Sequence, residues 1–348
     1  MPESANWTHL HAQLHRTLLQ RQILPSNQRL LVAVSGGQDS LCTLKLLLDL
    51  QPKWGWNLAI AHCDHCWRSD SQKNANHVEN LAKNFGISYY LQTAPDIPKT
   101  EAAARQWRYQ ALTEVAIARN YPYIVTGHTA SDRAETLLYN LIRGSGADGL
   151  SALTWTRPVA DLRLGDSEEN PQSTIYLVRP LLEITRSQTG QFCQEQKLPI
   201  WEDSTNQDLQ YARNRIRSQL LPYLETHFNP RASTALAQTA ELLRADVEYI
   251  EIAASALLQR AISPIADNPQ VKIQLPVKLN RPILRAAPLA LQRRAMRQVL
   301  QQILPCAPSF DSVEKLTSLI AAPNRSQTDP FPGGAIARVE NPWIAIDL

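Results

Sequence analysis

The chain has 348 residues, of which 44% are apolar and 19% are charged, with a formal net charge of +3. This length predicts two domains, and five cysteines in so long a chain argue against a disulfide framework. No run approaches the ~18 consecutive apolar residues that a membrane span needs, and the first 24 residues lack the apolar core of a secretion signal. We therefore expect a globular protein without a membrane partner, cytoplasmic in a bacterium or located inside a plastid.

Four short apolar runs alternate with helix-length stretches in the first part of the chain. The predicted strands are Leu30–Val34, Leu58–Cys63, Ile87–Gln92 and Tyr123–Thr126, and helices are predicted over about 40–50, 71–85, 101–119 and 130–142. This alternation predicts βαβ units, and therefore an α/β fold with a parallel, doubly wound, Rossmann-like sheet. Ligands of such sheets bind beyond the carboxyl ends of the strands, so the residues after each strand are the candidate site.

The alternation stops near Arg157. Residues 159–164 and 174–178 predict a hairpin, and helices return over 181–224, interrupted by an acidic loop at 201–209. We place a domain boundary between 226 and 227, so that residues 1–226 form the larger domain, with a helical part from about 181. Residues 227–348 are predicted to form a smaller, mostly helical domain with helices over 235–261, 289–304 and 312–321. A closing hairpin is predicted to turn at residues 332–334.

The residues after the first predicted strand form the strongest motif, Ser35-Gly36-Gly37-Gln38-Asp39-Ser40. The two glycines lack Cβ atoms, so backbone N–H groups can close on an oxyanion at the amino end of the next helix. Hydroxyl donors are added by Ser35 and Ser40, and Asp39 is a candidate Mg²⁺ ligand. A phosphate loop without the lysine of γ-phosphoryl transfer enzymes predicts adenylation with release of pyrophosphate. A plain strand–helix turn with a serine cap is the alternative.

A second motif follows the fourth predicted strand and runs from Gly127 and His128 to Thr136. Its acids Asp132 and Glu135 are three residues apart and therefore share one helix face. At the same sheet edge as the loop, such a pair can orient a metal ion or bind the ammonium group of a substrate. Acids in a first helical turn also complement the helix dipole, and this alternative stays open.

A third motif, His62-Cys63-Asp64-His65-Cys66, follows the second predicted strand. Its Cys-x-x-Cys spacing can ligate zinc or an iron–sulfur cluster. A structural zinc site needs four ligands, and no second cysteine pair exists. A polar strand end that lines the pocket is the favoured interpretation.

Arginines are concentrated in three places. Arg105 and Arg108 are about one helical turn apart and can reach a phosphate or pair with nearby acids such as Glu101. Three arginines alternate over 213–217. From Asn268 to Phe310 there is no acid and there are seven lysines and arginines, which is typical of a surface for a polyanion, with a solvated basic face as the alternative. Within this stretch an apolar stripe at four-residue spacing leaves Arg293 and Arg297 on the opposite, solvent-facing side of a helix.

The loop Ser35–Ser40 resembles the PP-loop of the N-type ATP pyrophosphatases, and within them the chain resembles the tRNA(Ile)-lysidine synthase family over nearly its whole length. The segments that carry the resemblance are His62-x-Asp64-His65-x-x-Arg68, Glu101-Ala-x-Ala-Arg105-x-x-Arg108-Tyr109, Gly127-His128-x-x-x-Asp132-x-x-Glu135-Thr136, Arg143–Gly146, Arg179–Leu182, Glu202–Asn206, Ala212–Arg217 and Phe331–Gly334. The chain departs from the family pattern at Arg133, where glutamine is usual, at Cys66, where glycine is usual, and by an insertion over 162–174.

The resemblance implies that ATP adenylates O2 of the wobble cytidine of a tRNA(Ile) with a CAU anticodon. Free L-lysine then attacks C2 and displaces AMP, forming lysidine and changing decoding from AUG to AUA. A PP-loop thiolase that forms 2-thiocytidine, or a non-catalytic tRNA-binding module, is the alternative, and homodimer formation is left open.

The motifs, the arginine-rich stretches and the resemblance together assign roles to three sets of residues. Asp39, Asp132, Glu135, Arg105 and Arg108 are implied as catalytic, with Mg²⁺–ATP held by Asp39, lysine approached by the acid pair, and phosphate charge stabilised by one of the two arginines or by Arg213. The expected ATP contacts are Ser35, Gly36, Gly37, Gln38, Asp39, Ser40, His62, Asp64, Gly127 and His128. The expected tRNA contacts are Arg213, Arg215, Arg217, Arg293, Arg294 and Arg297.

Overall fold

A computed structural model describes residues 7–67, 70–98, 100–159, 174–201, 209–263, 273 and 275–348. Several features named above lie outside the described residues: Arg68, the segment 202–206, positions 162–173 of the insertion, and Lys272 of the basic stretch. Packing divides the chain into two compact units, Met1–Leu242 and Leu243–Leu348.

The first unit contains the predicted βαβ series and two helices that the sequence analysis did not predict. Its strands are β1 Arg29–Ala33, β2 Asn57–Asp64, β3 Ser88–Thr93, β4 Tyr123–Thr126, β5 Thr156–Pro158 and β6 Tyr176–Val178. Its helices are α1 His9–Arg21, α2 Gln38–Trp54, α3 Ser71–Phe85, α4 Glu101–Ala118, α5 Ala130–Ile142, α6 Ala147–Leu150, α7 Arg186–Glu195, α8 Ala212–Arg215 and α9 Leu221–His227, with a π-helical turn at Ile216–Leu220 before α9. The unpredicted helices are α1 and the short α6.

The six strands form one sheet in the order β3-β2-β1-β4-β6-β5. All neighbours are parallel except β5, which pairs antiparallel with β6. The chain therefore runs from β1 outward to β3 and then returns to the other side of β1 to begin β4. This reversal is a topological switch point, where open α/β sheets bind ligands, and the loops after β1 and β4 carry the two strongest motifs.

Successive residues of β1 point to opposite faces of the sheet, and each face has its own core. Leu30 and Val32 pack in the core that contains α1, α2 and α7 side chains, whereas Leu31 packs with residues of α4 such as Leu112. All four side chains are buried. Apolar cover on both faces explains why β1 reads as a continuous apolar run, and it confirms the doubly wound α/β fold.

The second unit contains the later part of a long helix, α10 Ala232–Ala261, followed by three more helices and a small antiparallel sheet. The remaining elements are β7 Ile262–Ser263, β8 Val277–Asn280, α11 Arg281–Arg285, α12 Leu289–Ile303, α13 Phe310–Ser318, β9 Ile336–Glu340 and β10 Trp343–Asp347, with the strand order β7-β8-β10-β9. The predicted apolar stripe of α12 packs in the core of this unit through Ala295 and Val299.

Two local predictions differ from the structure. The closing hairpin turns at 341–342, between β9 and β10, and not at 332–334, where Gly333 and Gly334 form an earlier turn with positive φ angles. The first strand of the other predicted hairpin begins earlier than 159: Thr156–Pro158 pair with β6, and the N–H of Val159 donates to the Ile175 carbonyl at 2.8 Å. Residues 160–164 of that prediction lie outside the described residues.

The two units divide inside α10, whereas the predicted boundary between 226 and 227 lies ahead of that helix. The first turns of α10 belong to the first unit because Ala237 and Ala240 are buried there and Glu241 accepts hydrogen bonds from Arg21 and Arg133. Within the described residues, no helix is long and apolar enough to cross a membrane.

Candidate active site

The loop between β1 and α2 has the backbone form of an anion site. Gly36 has a φ of +87°, and a Cβ there would lie 2.5 Å from Oδ1 of Asn74, so the position favours glycine. Ser35 and Ser40 close the loop: the Ser35 N–H donates to Oγ of Ser40 at 3.2 Å, and that hydroxyl donates to the Gly37 carbonyl at 2.8 Å. Glycine at the N-cap leaves the first N–H groups of α2 available to an oxyanion.

Asp39 lies in the first turn of α2, held between two side chains of α7. Thr189 donates its hydroxyl proton to Oδ1 of Asp39, and Nη1 of Arg186 lies 3.5 Å from Oδ2. Burial, and then repulsion from Asp132, raises the pKa of the Asp39 carboxyl above its usual range, although Arg186 opposes the shift. Asp39 and Asp132 place two carboxyl groups close together, an arrangement that is suited to binding a cation.

The β4–α5 loop packs directly on the first turns of α2. A Cβ at Gly127 would lie 2.7 Å from the carbonyl oxygen of Asp39 and 2.8 Å from Oγ1 of Thr43, so only glycine permits this approach. The next residue, His128, pairs through Nδ1 with the hydroxyl of Thr126 at 2.9 Å. Burial, followed by the positive charge of Arg179, lowers the pKa of His128 to about 3, and the ring is therefore neutral near pH 7.

Asp132 and Glu135 share one face of α5, as predicted, and Arg217 joins them. Nη2 of Arg217 lies 3.3 Å from Oδ1 of Asp132 and 2.8 Å from Oε2 of Glu135. The other oxygen of Asp132 accepts from the N–H and hydroxyl of Thr129, which completes a capping box at the start of α5.

The two carboxyls of this pair have pKa shifts of opposite sign. Burial raises the pKa of Glu135 above its usual range despite Arg217. For Asp132, burial is outweighed by His128, Arg217 and the Thr129 hydrogen bonds, and the pKa is lowered. Glu135 is therefore the stronger proton acceptor of the two.

The end of β2 lines the same cavity. His62 is buried and its Nδ1 lies 2.7 Å from the carbonyl oxygen of Val34, and Asp64 accepts the N–H of Cys66 at 2.8 Å. Cys66 has a φ of +56°, the region that favours glycine. Burial raises the pKa of the Cys63 thiol to about 12, so it is not a thiolate. No group of three or more His, Cys, Asp or Glu among the described residues is arranged to hold a metal ion.

A cavity of about 370 Å³ joins these loops at the carboxyl edge of the sheet. Eleven of the predicted site residues line it: Ser35, Gly37, Gln38, Asp39, Ser40, His62, Asp64, Arg108, Gly127, His128 and Asp132, together with Arg217, which sequence reasoning had assigned to a tRNA-binding surface. Glu135 and Gly36 are not part of the cavity wall: Glu135 pairs with Arg217, which is, and Gly36 belongs to the backbone of the loop.

Other predicted residues lie away from the cavity wall. Arg105 lies over the ring of Tyr109 at 5.0 Å, and Arg213 pairs with Glu101 at 3.4 Å. Arg215 donates to the carbonyl of Leu209. The three arginines predicted in the second unit are on α12: Arg293 pairs with Glu314 at 2.7 Å, Arg294 pairs with Glu251 at 2.7 Å, and Arg297 lies half-buried on the same helix.

Sequence reasoning missed several residues that line the cavity. Asn74, Arg186, Trp201 and Tyr109 belong to elements other than the three motifs, and their side chains reach the cavity only through the fold. The N–H of Trp201 donates to the Gly36 carbonyl at 2.9 Å and so fixes the back of the loop. Arg186 follows the fifth parallel strand, so the rule that ligands bind after strand ends was a signal for it.

Comparisons with known protein families match both parts of the chain. Residues 8–224 match a family described as a PP-loop domain, and residues 279–341 match one described as the TilS substrate binding domain. The first match contains every loop of the cavity described above.

Curated relatives extend over almost the whole chain. The tRNA(Ile)-lysidine synthase of a Nostoc species is 63% identical over 98% of this chain and 97% of its own length. The protein of the same name from a Synechocystis species is 50% identical over 97% of each chain. A chloroplastic one from Zygnema circumcarinatum is 40% identical over 87% of this chain and 78% of its own.

Among solved structures, a U34-tRNA thiolase from Methanococcus maripaludis with its [4Fe-4S] cluster has a TM-score of 0.54. It is 17% identical and covers 67% of this chain and 77% of its own. At this identity the likeness supports the fold alone.

Proposed function

The chain belongs to the tRNA(Ile)-lysidine synthase family, and from this membership and the geometry of the cavity we propose that it is an ATP-dependent ligase that joins lysine to the wobble cytidine of a CAU-anticodon tRNA(Ile). ATP is consumed to AMP and pyrophosphate. The observation that carries the proposal is the meeting of the Ser35–Ser40 loop and Asp132 in one cavity at the switch point of the sheet, where Arg217 joins Asp132 to Glu135.

The loop is suited to the polyphosphate of ATP. Its positive-φ glycine, two hydroxyls and the free N–H groups at the start of α2 supply donors to phosphate oxygens. The loop has no lysine aimed at a γ-phosphate, which fits transfer at the α-phosphate with pyrophosphate as leaving group.

Mg²⁺ is expected to accompany ATP, and the residues present fit it. Asp39 and Asp132 offer carboxylate oxygens, and burial, followed by repulsion from Asp132, raises the pKa of Asp39. Mg²⁺ is commonly held by one or two carboxylates and completed by substrate phosphates. When bound, it supplies charge neutralisation for the phosphates.

In the first step, O2 of the cytidine attacks the α-phosphorus of ATP, and pyrophosphate leaves. Arg108 at the cavity wall and Arg186 beside Asp39 are placed to stabilise the developing phosphate charge. Arg105 lies one turn from Arg108 on α4, and its guanidinium packs over the ring of Tyr109, which lines the cavity.

In the second step, the ε-amine of lysine attacks C2 of the adenylated cytidine, and AMP leaves. Free lysine arrives as an ammonium ion near neutral pH, and Asp132 and Glu135 can bind that ion. Glu135, with its raised pKa, is the better acceptor for the proton that the ammonium must lose. Since Arg217 contacts both carboxylates, lysine has to share them with this guanidinium or displace it.

The tRNA contacts are proposed to include Arg213 and Arg215 of α8 and the three arginines of α12. Arg293 and Arg294 already face the carboxylates of Glu314 and Glu251, so their charge toward an RNA is partly offset. Their contribution is therefore expected to be smaller than that of arginines without such partners.

The proposal is tested by incubating the protein with ATP, labelled lysine and a CAU-anticodon tRNA(Ile) transcript, then digesting the tRNA and identifying the labelled nucleoside. Labelled lysidine at the wobble position is the expected result. Omission of ATP and a transcript with a CAC anticodon are the controls. Pyrophosphate release without incorporation of lysine would contradict the ligase assignment.

A further inference from the structure

A group of arginines surrounds Tyr109 beside the mouth of the cavity, and the proposed chemistry accounts for only part of it. We call this the Tyr109 cluster: Arg105, Arg108, Tyr109, Arg157, Arg179 and Arg213. Its members come from α4, β5, the end of β6 and α8, so the sequence separates them by up to about a hundred positions.

The aromatic ring holds two of the guanidinium groups. The Cζ atom of Arg105 lies 5.0 Å from the centroid of Tyr109, and that of Arg157 lies 4.9 Å from it. Arginine packed on an aromatic face keeps its planar donor groups oriented and exposed at the edge. Arg179 is buried, and its guanidinium donates to the carbonyl of Thr154 at 2.7 Å.

The positive charge of the cluster is poorly offset. Within the described ranges, the cluster makes one ion pair, between Arg213 and Glu101 at 3.4 Å, and Glu101 is half-exposed. Arg105, Arg108 and Arg157 have no described carboxylate within ion-pair distance. Burial, and then repulsion from Arg213, Arg108 and Arg157, lowers the pKa of Arg105, although Tyr109 opposes the shift.

A polyanion is the natural partner for such an arrangement. ATP alone does not match it, because the Ser35–Ser40 loop already provides donors for one polyphosphate, and Arg157 and Arg213 do not line the cavity. The cluster instead begins at the cavity wall with Arg108 and Tyr109 and extends along β5 and α8. An RNA strand with one nucleotide in the cavity would place its neighbouring phosphates over these positions.

We propose that the Tyr109 cluster binds the phosphodiester backbone of the RNA substrate next to the nucleotide that enters the cavity, with Arg157 as a phosphate contact and Tyr109 as the residue that orients it. This rests on the proposed function. Arginine binds phosphate oxygens in a bidentate manner, and each phosphate contact adds to the salt dependence of binding.

The test compares Arg157→Gln with Arg29→Gln. Arg29 is a matched control because it also packs over a tyrosine ring, that of Tyr121 at 4.7 Å, but lies at the amino end of β1, at the opposite edge of the sheet. Affinity for a CAU-anticodon tRNA(Ile) is measured without ATP over a series of salt concentrations, and affinity for ATP is measured separately. A thermal melt of each variant verifies folding.

We expect Arg157→Gln to weaken tRNA binding about threefold to tenfold and to reduce the log–log salt slope by about 0.7–0.9. ATP affinity should stay at the wild-type value, and Arg29→Gln should match the wild type in every measurement. Arg157→Lys, which keeps the charge, should restore the slope even if the altered packing lowers stability.

Two results would overturn the proposal: an unchanged salt slope in Arg157→Gln, or a loss of ATP affinity with tRNA binding intact, which would assign the cluster to the nucleotide. A short oligouridylate serves as a second probe. If the wild type binds oligouridylate through Arg157 but does not modify the tRNA, the result supports RNA binding by the Tyr109 cluster and contradicts the proposed function. If the wild type binds neither RNA, the cluster is not an RNA site.

Discussion

The arginines beside Tyr109 in the first unit and those on α12 of the second unit have different neighbours. Around Tyr109, Arg105 and Arg157 lie close together without a described carboxylate partner. On α12 of the second unit, Arg293 and Arg294 each lie 2.7 Å from a glutamate oxygen. Arginine therefore lies without a described carboxylate partner beside Tyr109 and forms half of an ion pair on α12.

This difference shows that a stretch of sequence rich in basic residues does not by itself form a positively charged surface in the folded protein. The stretch 268–310 contains no acid, yet Lys278, Arg293 and Arg294 meet acids from outside it, at Glu340, Glu314 and Glu251. Arg281 is buried and donates to backbone carbonyls near Ile320. The guanidinium groups of the Tyr109 cluster are instead brought together from four separate segments of the first unit.

The largest effect is expected on the rate of adenylation when Asp39, which lines the cavity, is changed. Asp39→Asn should slow adenylation about a hundredfold, equal to about 2.7 kcal/mol of transition-state stabilisation, because Asp39 is the only carboxylate of the Ser35–Ser40 loop. Single-turnover pyrophosphate release measures this step, and tRNA affinity should be nearly unchanged. Retention of more than a tenth of the wild-type rate would remove Asp39 from the mechanism.

The next prediction concerns an arginine of the first unit that does have a partner. Arg133 is 2% exposed and donates to Glu241 at 2.8 Å, and Glu241 also accepts from Arg21 and from Nε1 of Trp155. Glu241→Gln should lower the free energy of unfolding by about 2 kcal/mol, since hydrogen bonds to charged groups contribute about 1.5–3 kcal/mol.

The control for that measurement is Glu248→Gln on the same helix. Glu248 pairs with Arg244 at 2.9 Å, but its side chain is 60% exposed, so a change below about 0.5 kcal/mol is expected in urea unfolding. Equal effects of the two variants would mean that the Glu241 network is no stronger than a surface pair.

A third prediction concerns the pH dependence of stability that arises from His128. Burial, Arg179, Arg105 and Arg108 lower the pKa of His128 to about 3, whereas an unfolded histidine titrates near 6.5. Between these values the unfolded state binds the extra proton, so stability falls as pH falls. From pH 8 to 5.5 the free energy of unfolding should decrease by up to about 1.4 kcal/mol from this residue.

Urea unfolding of the wild type and of His128→Gln at both pH values measures this contribution. The second unit contains no histidine, so the effect reports on the first unit. The difference between the proteins should shrink at low pH, and an identical pH dependence would contradict the lowered pKa.

A smaller effect is expected at the acid pair. Glu135→Gln should raise the KM for lysine about fivefold while changing pyrophosphate release much less, because Glu135 is proposed to bind the ammonium rather than ATP. Rapid-mixing experiments with preformed adenylated tRNA resolve the two steps. Loss of pyrophosphate release with lysine capture intact would place the pair in the Mg²⁺–ATP site.

The smallest effect is expected for Arg293 and Arg297 of α12. The double change Arg293→Gln and Arg297→Gln should alter tRNA affinity less than twofold, since the Glu314 carboxylate already offsets the charge of Arg293. Salt-dependent binding assays measure it beside Arg157→Gln. A fall in the log–log slope of 0.7 or more would move the main RNA contact to the second unit.

The sequence predicted the sheet and the two main loops because they depend on local signals: apolar runs, glycines and helix starts. The fold class and the convergence of Asp39 and Asp132 follow from the rule that parallel strands end at one edge. The position of Arg217 did not follow, because an arginine-rich helix reads as solvent-exposed, and only the packing of the π-helical turn against α5 directs it to the acid pair. Likewise, Pro332–Gly334 is a strong turn signal, but it precedes β9 and does not close the last hairpin.

The Glu241 network has a consequence for the order in which the nascent chain can mature. Arg133 and Trp155 are synthesised long before Glu241, so the first unit leaves the ribosome with a buried guanidinium that still lacks this acceptor. Domains generally fold as units during synthesis, beginning with the N-terminal one. Here the N-terminal unit reaches its final hydrogen bonding only when the first turns of α10 have emerged, and an expression fragment that stops at residue 226 would lack that closing carboxylate.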